Sequence, residues 1–221
     1  MKENLVVITG GNSGLGFELV KLFKQKVKVL VIARKKRMEL ENVFYEYGSV
    51  SDEEFLKSIY EKYSNIYNVL YLINNAAVGR FGKPEENDKT KINEVLEGNL
   101  VGLILNTTYA LPLMQEKGGK IVNILSSAAL KGNVNESLYC AAKWGARGFT
   151  ESLKSTYKGS NIKVIAIYPG GMNTDFWEEN RSYVSKEKSS KWLNPKEVAK
   201  VIFDNVTNDK LCVADLVIER V

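Results

Sequence analysis

Short, nearly unbroken apolar runs rich in β-branched residues recur along the chain at 5–9, 27–33, 43–47, 69–73, 120–125, 162–167 and 212–218. Polar and apolar residues do not alternate within them, so each reads as a strand buried on both faces, the pattern of a parallel sheet. Helical spacing fills most of the gaps. Leu15, Leu19, Leu22 and Phe23 follow the first run on one helical face. Ser51 with Glu54 reads as a capping box opening a helix through Phe55, Ile59 and Tyr63. Ile92, Val95, Leu96, Asn99, Leu100 and Leu103 form one long stripe, ended by Gly118-Gly119. Asn194, Pro195 and Glu197 supply an N-cap, a first-turn proline and a third-position carboxylate for a last helix.

Alternating strands and helices predict an α/β chain, a doubly wound parallel sheet of about seven strands. The crossover between the second and third strands, 33–43, is too short for a full helix and predicts a loop or single turn. With no repeat, low-complexity tract or linker, residues 1–221 read as one domain. The stretch 171–191 is polar and weakly patterned, and long loops of that kind commonly cover sites. Together with 130–138 it is the expected wall of a substrate pocket.

Composition narrows the chemistry mainly through one absence: the chain has no histidine. That excludes Ser-His-Asp and Cys-His nucleophiles, His-ligated metal and any imidazole shuttle. Two cysteines, Cys140 and Cys212, cannot build a four-thiolate site, and no metal is expected. Such sparse cysteine fits a reducing compartment. The net charge of +5 is dispersed, with one dense run at Arg34-Lys35-Lys36-Arg37, which argues against nucleic acid as a partner. The first apolar run is too short for a signal peptide and no run approaches a membrane span, so a cytoplasmic protein is expected.

Thr9-Gly10-Gly11-Asn12-Ser13-Gly14-Leu15-Gly16 lies between the first strand and the first helix. A turn placed there aims backbone N–H groups and the positive helix end at a pyrophosphate, with glycines where the chain turns tightly or approaches the ligand. A glycine motif alone also describes a plain tight turn; its strand-to-helix context favours nucleotide binding. Tyr139 and Lys143, four apart on a predicted helix, share a face. A phenol ordinarily titrates near pH ~10, and an ammonium beside it is expected to bring it toward neutrality.

The spacing Thr-Gly-x-x-x-Gly-x-Gly resembles the short-chain dehydrogenase/reductase family, and later segments match in the family's order. They are Asn74-Asn75-Ala76-Ala77 after the fourth strand, Asn99 in the long stripe, Asn123 and Ser126 after the fifth strand, Tyr139-Cys140-Ala141-Ala142-Lys143, and Pro169-Gly170-Gly171-Met172-Asn173-Thr174 after the sixth. The resemblance spans nearly the whole chain and implies a Rossmann-type domain. By resemblance, Tyr139 exchanges a proton with the substrate oxygen while a nicotinamide carries the hydride. Lys143 holds the nicotinamide ribose, Asn99 belongs to a water relay, and Ser126 donates to the substrate oxygen. Ser126 is chosen over Ser127 because it lies 3 residues after Asn123 and 13 before Tyr139, as the family's serine does. The cofactor-binding set it implies is Gly10, Asn12, Ser13, Gly14, Leu15, Gly16, Arg34, Ser49, Val50, Asn75, Ala76, Ala77, Tyr139, Lys143, Pro169, Gly170, Met172 and Thr174.

Two positions depart from the family: Ala77 replaces the usual glycine and Ser49 the usual aspartate. No acidic residue stands near the second strand's end before Glu39, and Arg34 occupies the place from which a guanidinium meets a 2′-phosphate, so NADP(H) is expected over NAD(H). Lys36 and Arg37 read as a solvated basic turn. The resemblance thus implies interconversion of a small-molecule carbonyl and alcohol by a homodimer or homotetramer. The alternatives are a 3-oxoacyl-carrier-type reductase and a non-catalytic nucleotide sensor; the sensor is expected to lack Tyr139, Lys143 or the serine.

Overall fold

The structure, a computed structural model, describes residues 2–221. Its strands are β1 (Glu3–Thr9), β2 (Lys28–Ala33), β3 (Phe44–Tyr47), β4 (Tyr67–Asn74), β5 (Gly119–Ile124), β6 (Ile162–Pro169) and β7 (Asp215–Ile218). They form one parallel sheet in the order β3-β2-β1-β4-β5-β6-β7. The period-2 geometry of β1 divides the core. Val6 and Ile8 face a layer completed by α1 (Gly14–Phe23) and α7 (Pro195–Val206). Leu5 and Val7 face the opposite layer, with α2 (Glu53–Ser64), α4 (Gly102–Ala110) and α5 (Ser137–Thr156). All four side chains are fully buried, which explains the unbroken apolar run.

The short second crossover carries no helix, as its length requires. Several boundaries differ from the sequence expectation. Asp52, not Ser51, caps α2, its carboxylate accepting from Phe55 N at 3.0 Å, because the Ser51 hydroxyl is paired with that of Ser49 at 2.9 Å. The long stripe is two helices, α3 (Lys89–Leu96) and α4, joined without a break by a π turn over Glu97–Val101. It ends at Ala110, where a 3-10 turn carrying Pro112 takes over; Gly118 lies beyond it and Gly119 opens β5. β7 starts three residues late because the Asn205 side chain occupies both backbone groups of Val213, each bond 2.9 Å. The stretch 171–191 is not a plain loop. It holds a 3-10 turn, Asp175–Asn180, and the short α6, Lys186–Ser190.

β1 and β4 are adjacent, and the order reverses between them, so their carboxyl ends open a crevice at a topological switch point. One residue joins the two ends. The buried Thr9 hydroxyl accepts from Asn75 N at 3.0 Å and Ala76 N at 2.9 Å. Thr9→Val keeps the shape and strands both amides, each loss costing about 1–3 kcal/mol. Urea unfolding should therefore show a loss of at least about 2 kcal/mol. An unchanged midpoint means that water or another acceptor replaces the hydroxyl.

Candidate active site

A cleft of about 810 Å³ runs along the carboxyl ends of the strands. At its base the chain turns from β1 into α1. Gly10 has φ +65°, and a Cβ there would stand 3.0 Å from Ala76 Cα. A Cβ at Gly16 would lie 2.2 Å from the Gly10 carbonyl. Only hydrogen fits at Gly16, so α1 packs tightly on the turn with its N-terminus toward the cleft. Asn75 reinforces the joint, its amide donating to the carbonyls of Thr9 and Gly10 at 3.0 and 3.2 Å. The Asn12 amide donates to the Lys35 carbonyl, tying the turn to the segment after β2.

Almost all the residues expected at the site line this cleft. Gly10, Asn12, Ser13, Gly14 and Leu15 come from the turn, and Arg34, Ser49, Val50, Asn75, Ala76 and Ala77 from the ends of β2, β3 and β4. Ser126, Tyr139, Lys143, Pro169, Gly170, Met172 and Thr174 complete them. Gly16 and Asn99 stand behind the wall. Gly16 is spent on packing against Gly10, as its missing Cβ shows. Asn99, only 2% exposed, lies in the π turn. Its amide donates to Val78 and Val95 carbonyls at 2.7 and 2.8 Å, so the widened helical turn is tied to the chain after β4.

Ser126 follows β5, its hydroxyl accepting from Ala128 N at 3.1 Å. Tyr139 and Lys143 come from the first turns of α5, with Lys143 Nζ 5.6 Å from the centre of the Tyr139 ring. Lys143 is 2% exposed, donates to the Ile124 carbonyl at 3.1 Å and has no carboxylate partner among the described residues. Burial alone pulls its ammonium down to about 8. Tyr139 departs from expectation. Burial raises its hydroxyl above the phenol range, the Ser126 hydroxyl draws it back, and the Glu136 carboxylate raises it further. Desolvation is the largest influence on this phenol, and it acts in the direction opposite to the one expected from the ammonium.

Other features were missed from the sequence. Arg37 is not merely solvated: it pairs with Asp175 at 3.8 Å across the cleft mouth. Phe81 stacks on Trp177 and Tyr183 at 5.2 and 4.9 Å and meets the Tyr139 ring edgewise at 5.5 Å. Phe176 lies 5.9 Å from the Tyr139 ring, and Trp177 is 4.9 Å from Trp192. An aromatic wall thus stands beside Tyr139. The only sequence signal was the aromatic density of 176–192, with two of the chain's three tryptophans. Of 130–138, the cleft touches only Asn133 and Glu136.

A parallel sheet with a glycine turn, a crevice at the switch point and a Ser-Tyr-Lys group at its edge defines a nucleotide-binding oxidoreductase fold. The family profile for short chain dehydrogenase matches residues 4–184, and the chain belongs to that family. Carbonyl reductase family member 4 of Xenopus laevis is 34% identical over 183 residues, 78% of this chain and 77% of that protein. A 3-oxoacyl-[acyl-carrier-protein] reductase of Thermotoga maritima is 26% identical over 220 residues, covering 91% and 89%. Among solved structures, a short-chain dehydrogenase/reductase from Vibrio parahaemolyticus superposes with TM-score 0.82 at 29% identity, covering 98% of this chain and 100% of that one. The closed form of a serine dehydrogenase complexed with NADP+ has TM-score 0.89 at 22% identity, covering 98% and 94%, and shares the fold. The protein is therefore an oxidoreductase of a family that uses nicotinamide cofactors, and none of its described helices is long and apolar enough to cross a membrane.

The depressed Lys143 ammonium has a consequence for stability. Between about pH 8 and the ordinary 10.5, the unfolded chain keeps a proton that the folded chain has released. This group's contribution to stability therefore rises with pH through that window, and below it the full cost of burying the charge applies. In urea unfolding from pH 8 to 10, wild type should gain stability relative to Lys143→Met, a comparison in which the tyrosine titrations common to both cancel. A constant difference between the two proteins contradicts the depressed lysine.

Proposed function

We propose that the protein interconverts a carbonyl and a secondary alcohol with NADP(H), Tyr139 acting as general acid and base. The observation that supports this best is the meeting of Ser126, Tyr139 and Lys143 on one cleft with the glycine turn. The cleft suits a dinucleotide. Gly10 and Gly14 line the cleft without side chains at the α1 N-terminus, which allows close backbone approach, and Ser49, Val50 and Pro169 to Thr174 line it as well. When bound, the nicotinamide supplies or accepts the hydride.

The protein's own groups handle the proton. Ser126 donates a hydrogen bond to the substrate oxygen and stabilises charge developing there. Tyr139, kept protonated by burial, gives its proton to that oxygen in reduction. Lys143 holds the ribose hydroxyls and, as a charge, offsets the phenolate left behind. Asn99 holds the π turn against the chain after β4 and anchors the water relay behind Lys143. The segment 171–191 serves as the substrate lid, and the single domain works as a cytoplasmic homodimer or homotetramer.

The cofactor choice rests on Arg34. It lines the cleft, is exposed, and makes no hydrogen bond or ion pair with other described residues, so its guanidinium is free for a 2′-phosphate. Such charge-assisted bonds contribute about 1.5–3 kcal/mol each, roughly 10- to 100-fold in affinity. Arg34→Asp should weaken NADP(H) by at least that factor in fluorescence titration and leave NAD(H) unchanged or tighter. Equal affinity of wild type for both cofactors contradicts the assignment.

For the chemistry, Tyr139→Phe should lose roughly 10²–10⁴-fold in kcat while still binding cofactor. Ser126→Ala should lose roughly 10²–10³-fold, and Ser127→Ala far less. Near-normal turnover by Tyr139→Phe on a panel of ketones, aldehydes and alcohols overturns the mechanism. A reversed ranking of the serines reassigns the donor.

A further inference from the structure

Charged residues of both signs line the cleft. Arg34, Lys35 and Arg37 do so after β2, with Arg37 paired to Asp175. Glu94, Glu97, Glu136 and Glu178 line it too, with Lys143 beside Tyr139 and with Arg80, which is bound to Glu94 at 2.8 Å. Three of these carboxylates sit exposed at the rim, where water screens them. Glu136 differs. It is partly buried in the wall, one turn before Tyr139.

Both Glu136 oxygens are fixed by neutral donors. The Asn133 amide donates to one at 2.9 Å, and the Tyr183 hydroxyl, whose single proton is shared with the Val134 carbonyl at 2.9 Å, reaches the other at 3.0 Å. Neither donor carries a charge, and Glu136 has no cation partner among the described residues. Its negative charge is therefore oriented and uncompensated. The rings of Phe81, Phe176 and Trp177 gather around Tyr139, one turn further along α5, and Phe176 and Trp177 line the cleft there; aromatic faces attract ammonium groups.

Resting on the oxidoreductase reading above, we infer that Glu136 sets substrate charge: the carbonyl or alcohol substrate bears an ammonium group that pairs with this carboxylate, and anionic substrates are repelled. A hydrogen-bonded charge pair in such a wall is expected to favour the cation roughly tenfold or more over a neutral isostere. Glu136 is a specificity residue; the proton still moves through Tyr139.

The test is kcat/KM for a matched set of ketones and alcohols in which one substituent is ammonium, methyl-terminated or carboxylate. Wild type should prefer the ammonium compound over the neutral one, with the carboxylate last. Glu136→Gln should bring the three rates together, chiefly by raising KM for the ammonium compound, and Glu136→Asp should restore the order. Tyr183→Phe separates charge from scaffolding: it removes a hydrogen bond to Glu136 but not the carboxylate, so the order should persist. Turnover with no charge preference, or a preference that survives Glu136→Gln, overturns this inference alone. Loss of preference in Tyr183→Phe as well as Glu136→Gln also overturns it, since the contact would then be structural. No turnover of any compound with either cofactor overturns the proposed carbonyl–alcohol reaction and this inference with it.

Discussion

Everything at the active edge depends on closing the backbone where β1 and β4 part. Strands that stop pairing expose amides and carbonyls in an apolar interior, and each must find a partner. Thr9 and Asn75 solve this reciprocally: the Thr9 hydroxyl takes two amides from the β4 side, and the Asn75 side chain returns hydrogen bonds to two β1-side carbonyls. With those groups satisfied the strands can diverge, and the crevice exists. The first amides of α1 have no partner within the helix, so its N-terminus beside the cleft is available to a ligand. The same joint leaves no room for side chains at Gly10 and Gly16, so the glycine spacing follows from the hydrogen bonding.

Burial then governs the reacting groups. Lys143 and Tyr139 leave α5 on one face, yet the close pair does not behave as an isolated ammonium and phenol in water. Desolvation penalises the charged form of each, lowering the lysine and raising the tyrosine. A protonated phenol can donate a proton, and an ammonium beside it stabilises the phenolate that results, which is the division of labour the proposed function assigns to Tyr139 and Lys143.

The fold was legible because it rests on local signals: β-branched runs for strands buried on both faces, apolar stripes for the helices that cover them, and a short crossover read by counting. The glycine turn, Ser126, Tyr139 and Lys143 were legible because spacing fixes their placement on a strand end or a helix face. Boundaries failed where side chains compete for backbone groups. Ser51 is diverted to Ser49, leaving Asp52 as the cap, and Asn205 takes the groups that Val213 would lend to β7. The aromatic wall failed for another reason. Phe81, Tyr139 and the pair Phe176 and Tyr183 come from three separate segments, and no periodicity in one segment reports a contact made across the cleft.

The net charge of +5 says little about this cleft, because residues of both signs line it: Arg34, Lys35, Arg37, Arg80 and Lys143 beside Glu94, Glu97, Glu136, Asp175 and Glu178. Such charges cancel in composition while each remains a separate group on the wall. Exposed charges are screened within a Debye length, about 8–10 Å near physiological salt, so each acts on the ligand group that comes beside it. Pairing within the wall removes some of them from that role: Arg37 is met by Asp175 and Arg80 by Glu94. Electrostatic selection here is therefore local, set by which unpaired group a ligand meets and not by the sum over the chain.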